Sequence, residues 1–120
     1  MTPFGLRMRE LRAIKNVNQK QMAADLKVSA AYLSALERGH RGMPSWQFLQ
    51  RIIGYFNIIW DEAEELQKLA AKSHTRVIVD TEKLSASATN LANCLASEVS
   101  KLSDENCDIL TEQITKLTSK

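Results

Sequence analysis

The chain has 120 residues, 44% hydrophobic and 25% charged, with a formal net charge of +2. These values fit one soluble globular domain, or a small domain with an appended element, with room for a small core. The opening MTPFGLRMRE has no apolar run typical of a signal peptide, and the apolar patch from Ile52 to Trp60 is broken by Gly54 and Asn57 and is too short to span a bilayer.

The net charge conceals a split. Residues 1–55 hold nine Lys/Arg and three acids, whereas residues 56–120 hold seven and eleven. A basic first half and an acidic second half suggest a polyanion-facing module joined to something else. Cys94 and Cys107 are far apart and lack metal-site spacing, so they are expected to be reduced, small and buried. His40, His74 and the two cysteines form no zinc-ligand pattern, and neither a metal nor a cofactor is expected.

In chain order the predicted elements are helical. Phe4, Met8, Leu11 and Ile14 recur at helical spacing, with Arg7, Arg9 and Lys15 on a solvated face. A short second helix follows over Gln19–Leu26, with Met22, Ala23 and Leu26 facing inward. Ser29 is a good N-cap for a third helix and Gly39 a good C-terminal stop. Pro44 suits the start of a fourth, carrying Trp46, Leu49, Ile52, Ile53 and Phe56. Asp61 and Glu64 have capping-box spacing for a fifth, with Ala63, Leu66 and Leu69. Trp46 and Trp60 are expected as core or rim anchors. Beyond His74, RVIVD reads as a short strand or extended linker. Leu84, Ala88, Leu91, Leu95 and Leu102, then Cys107, Leu110, Ile114 and Leu117, predict a helical hairpin, with Ser103 and Asp104 as capping candidates.

QKQMAADLKVSAAYLSALERG, residues 19–39, carries the functional signal. Ala23 allows close approach of two crossing helices, and Val28, Leu33 and Leu36 pin the second against the first. At 100° per residue, placing Leu33 and Leu36 inward turns Ala31, Ser34, Ala35 and Arg38 outward. That is the packing logic of a helix-turn-helix, whose second helix is offered to the DNA major groove.

Followed by RGMPSWQFLQRIIGYF, this stretch resembles the lambda-repressor-like (XRE-type) helix-turn-helix family, over roughly residues 4–70 and including the LSxLERG element. The resemblance implies that Gln19 lies near a phosphate or base edge, that Lys20 contacts phosphate, and that Arg12 and Glu37 form an ion pair tying the first helix to the recognition helix. Lys27 occupies a turn position where the family often has Gly. Ala30, Ala31 and Ala35 stand where well-read repressors often carry Gln, Asn or Arg. These alanines permit close approach and contact with thymine methyls, while Gln19, Tyr32, Ser34, Arg38 and Arg41 supply polar contacts, so specificity should lean on DNA shape and half-site spacing. Tyr32 could equally cover the core edge.

The resulting expectation is an all-α protein: a five-helix lambda-repressor-like DNA-binding domain over residues 1–74, then a short strand or linker and a helical hairpin over 75–120. Its function is that of a cytoplasmic, nucleoid-associated transcriptional repressor. It binds double-stranded operator DNA as a homodimer through a recognition helix at 29–38, with Ser29, Ala30 and Ala31 at that helix's leading end. It is not an enzyme. Val77, Ile78, Val79, Leu91, Leu95, Leu102, Leu110, Ile114 and Leu117 are the candidate dimer contacts. The first rival is an antitoxin-like module whose hairpin binds a partner protein while the helix-turn-helix autoregulates, and the second is a small-molecule-sensing regulator, for which a 45-residue tail is short. No membrane association is expected.

Overall fold

The computed structural model describes residues 1–40 and 42–119. Among these it is all-α: α1 Pro3–Lys15, α2 Gln19–Asp25, α3 Ala30–Arg38, α4 Trp46–Tyr55, α5 Trp60–Ala71, α6 Ala86–Glu98 and α7 Asp104–Thr118, with a single 3-10 turn at Val99–Lys101. The chain divides into two compact units, Met1–Val77 and Ile78–Lys120.

The first unit is built around Phe4, Met8, Leu11, Met22, Ala23, Leu26, Leu33, Leu36, Phe48, Leu49, Ile52, Leu66 and Ala70. Each of the five helices contributes one stripe, so none can leave without exposing apolar surface from its neighbours. Thr2, Asn18, Ser29 and Ser45 each cap a helix by accepting a backbone N–H three residues on. Thr2 also donates through Oγ1 to the Glu37 carbonyl at 3.1 Å, joining the start of α1 to the end of α3. Gly5 makes that junction possible, because a Cβ there would lie 2.1 Å from the Glu37 carbonyl oxygen. Farther round the unit, Tyr55 donates its hydroxyl to Asp25 at 2.7 Å, linking α4 to α2. This bond holds the Asp25 carboxyl below its ordinary value, and burial, reinforced by Asp25, pushes the Tyr55 phenol up to about 12.

Several local expectations are corrected. Ile14 is 77% exposed, because it lies on the side of the last turn of α1 roughly opposite the buried Arg12. Phe48 is buried in α4, whereas Trp46, the first residue after the Ser45 cap, is 70% exposed. Pro44 therefore precedes the cap and does not begin the helix. Trp60, 83% exposed, starts α5 with a φ of 55°, so neither tryptophan is a core anchor. Asp61 lies inside the first turn of α5, and Ile59 at the cap position makes no side-chain bond. There the acids act through the helix dipole, not as caps.

In the second unit no described residue is buried. Ser85 and Ser103 cap α6 and α7. Residues 76–80 have no regular structure, and no strand occurs among the described residues. A lone five-residue run has no neighbour to satisfy its backbone groups as a strand. The hairpin expectation is met only as two successive helices, since α6 and α7 leave Leu91, Leu95, Leu110, Ile114 and Leu117 exposed. Cys94 is an exposed free thiol and Cys107 a half-buried one, so the expected burial of both is also corrected.

Candidate nucleic-acid interface

The α2–α3 pair follows from local sequence. Asn18 accepts the Gln21 N–H at 2.7 Å and starts α2, whereas Ser29 accepts the Tyr32 N–H at 3.0 Å and starts α3. Between them Lys27 has a φ of 59°, a left-handed conformation that lets the Val28 N–H return to the Ala23 carbonyl at 2.9 Å. Gly39 ends α3 with a φ of 83°.

Beneath α3 lies a buried polar cluster. Arg12 and Glu37, 7% and 1% exposed, meet end-on. Both guanidinium Nη atoms donate to the carboxylate, Nη2 to Oε1 at 3.0 Å and Nη1 to Oε2. Gln19 Nε2 donates to Glu37 Oε1 at 3.3 Å. The first residue of α2, the last full turn of α3 and the end of α1 therefore share one carboxylate. Attraction within such a pair roughly offsets the cost of burying it, so its main effect is to fix how α3 is presented.

A cleft of about 240 Å³ opens above this cluster, lined by Met1, Arg9, Arg12, Gln19, Ser34, Glu37 and Arg38. The structure thus brings Gln19, Ser34 and Arg38 together. Ala31, Ser34, Ala35 and Arg38 follow three- and four-residue steps along one side of α3. Ala30, Ala31 and Arg38 are exposed, whereas Ser34 and Ala35 are half-buried. Lys20 is exposed on α2, and Ser29 serves as a cap. Tyr32 packs edge-to-face on Phe48, with centroids 5.9 Å apart, and so covers the core edge. Arg41 lies outside the described residues. Arg9 is exposed, consistent with a solvated face, and also lines the cleft. Its signal was available, because Arg9 precedes Arg12 by three residues and so shares the side of α1 that meets Glu37. Arg7 instead pairs with Glu10 at 2.7 Å, and Lys15 lies 4.8 Å above the Tyr55 ring.

Comparison with known proteins agrees with this geometry. A family profile described as a helix-turn-helix domain matches residues 3–66, more than half the chain. The chain belongs to the helix-turn-helix domain family. That family is not an enzymatic one. The helix-turn-helix segment is also similar to the uncharacterized HTH-type transcriptional regulator RghRB of Bacillus subtilis (strain 168), 30% identical over 61 residues. That match covers 51% of this chain and 44% of the relative, so the chain spans less than half of the relative's length. No solved structure matches. Among the described residues no helix is long and apolar enough to cross a membrane, and no three His, Cys, Asp or Glu side chains cluster as metal ligands would.

Proposed function

We propose that this helix-turn-helix protein is a sequence-specific transcriptional regulator, acting as a repressor, that binds double-stranded operator DNA as a homodimer. The observation that carries this reading is the α3 surface. Small side chains at Ala30, Ala31 and Ala35 allow a close approach, with Arg9, Gln19 and Arg38 around the adjoining cleft and Lys20 exposed on α2. The name of the Bacillus relative supports the regulatory part.

Residues 75–120 are the proposed dimerisation element. Val77, Ile78 and Val79 are exposed, and Leu91, Leu95, Leu110, Ile114 and Leu117 are exposed on α6 and α7, while Leu102 between them is half-buried. A two-fold arrangement covers the same stripe on both subunits. The uncovered stripes also suit a partner protein, which keeps an antitoxin-like role as the second reading. Duplex binding measured against salt concentration, combined with sedimentation of the full chain, tests both parts. A dimer whose affinity falls steeply with salt, with a shallower dependence in Lys20→Ala, is expected. A monomer that binds no duplex contradicts the proposal, and stoichiometric capture of a specific second protein by that monomer favours the antitoxin-like reading.

A further inference from the structure

A different cleft, of about 600 Å³, opens where the chain leaves α3 and α5, lined by Gly39, His40, Gly42, His74, Thr75 and Arg76. We propose that this cleft is an anion site that holds a phosphate group between His40, His74 and Arg76. Its ionisable lining consists of two imidazoles and a guanidinium, with no carboxylate among the described lining residues. A guanidinium presents a planar fork of donors that matches phosphate oxygens.

The walls are held in place by the protein itself. Thr75 Oγ1 donates to the Gly39 carbonyl at 3.2 Å, tying one wall to the other. Ser73, buried, accepts the Phe4 N–H at 3.0 Å and donates to the Leu69 carbonyl at 2.6 Å. His74 therefore sits between two anchored residues. The walls touch at Gly39, where a Cβ would lie 2.5 Å from Thr75 Cγ2, whereas the Cβ position of Gly42 has nothing within 4 Å and faces open space.

A competing account is that these three side chains only offset the negative ends of α3 and α5. Carbonyls at both ends are already engaged. Ala35 accepts from the His40 N–H at 2.9 Å, Leu36 from Gly39 at 3.1 Å, and Glu37 from the Thr2 N–H at 3.2 Å. Ala70 accepts from the Ser73 N–H at 3.2 Å, and Leu69 from the Ser73 hydroxyl. Among the described residues none of these acceptors is taken by the His40, His74 or Arg76 side chain, which leaves all three to face the cleft.

The phosphate has two sources, a free phosphorylated small molecule or the DNA backbone, and the test separates them. Imidazole NMR signals of the full chain are followed while inorganic phosphate, or a short duplex, is added at constant ionic strength set with chloride. Phosphate alone shifting His40 and His74 along one saturating curve supports the site with a free anion as ligand. Duplex shifting both while phosphate does not supports it with the backbone as source. In either case Arg76→Ala, at an exposed position, weakens the response about tenfold. If neither ligand moves the rings, or if Arg76→Ala leaves the curves unchanged, the proposal is overturned. The phosphate arm is independent of DNA recognition by α3, so the two readings fail separately.

Discussion

In Met1–Val77 every helix surrenders one side to a common core, whereas in Ile78–Lys120 two capped helices form with none of their described residues buried. The same local devices operate in both units. Serine caps begin α3, α4, α6 and α7 alike. In α7, Thr111, Thr115 and Thr118 even return hydrogen bonds to carbonyls four residues back. Caps and propensity therefore decide where a helix starts and stops, but burial decides whether it holds its place. Helices shorter than about 12–15 residues are marginal in water on their own. The five short helices of the first unit persist through mutual packing, whereas no described residue of α6 or α7 is buried.

The sharpest way to break the first unit is at its buried charge cluster. Arg12→Met leaves the Glu37 carboxylate buried with only Gln19 beside it, and should cost about 3–5 kcal/mol in denaturant unfolding. Adding Glu37→Leu should restore much of that loss, because it removes the unpaired charge. Recovery in the double variant distinguishes a device that fixes geometry from one that supplies stability.

A smaller loss is expected at the α1–α3 junction. Gly5→Ala gains up to about 1 kcal/mol in helix propensity, but it forces a methyl onto the Glu37 carbonyl, a backbone atom that cannot swing aside. Overpacking of this kind costs about 1–3 kcal/mol, so the variant should melt lower by a net amount of that order or less. A variant that melts higher would mean the junction is looser than 2.1 Å implies.

The turn between α2 and α3 should respond in the opposite sense. Lys27→Gly relieves a left-handed lysine but adds freedom to the unfolded chain, so a gain below about 1 kcal/mol is expected in the same unfolding assay.

The second unit should show the smallest effect on single-chain stability. Leu95→Asp with Leu110→Asp removes exposed side chains, so melting in dilute solution should move within about 0.5 kcal/mol of the parent. Self-association at higher concentration should be lost. If the dilute melting point collapses instead, those leucines are covered within the single chain.

The sequence was most legible where periodicity and capping agree. Met22, Ala23 and Leu26 in α2, Leu33 and Leu36 in α3, and the Ser29 and Gly39 ends are all visible as spacing plus cap chemistry. Elsewhere the sequence signal was blind to the third dimension. Ile14 and Trp46 keep the apolar rhythm of their helices yet stand outside the core, because rhythm cannot say how far the core extends. Thr2 and Gly5 join α1 to α3 through backbone atoms 35 and 32 positions away in the chain, a link that no local pattern encodes. Arg9 was legible from its three-residue spacing to Arg12, once that residue is paired with Glu37. RVIVD has strand composition, but a strand needs a neighbour.

The central claim is that the first unit is a scaffold for presenting α3 to DNA, and Ala31→Glu tests it most directly. Ala31 is exposed, while Ala35 one turn on is half-buried, so a carboxylate at residue 31 adds repulsion toward phosphates without entering the core. Duplex affinity and melting temperature should be measured on the same preparation of the 120-residue chain. The account predicts affinity lowered by at least about tenfold, equivalent to about 1.4 kcal/mol, with melting essentially unchanged. Undiminished DNA binding by a folded Ala31→Glu protein would contradict it.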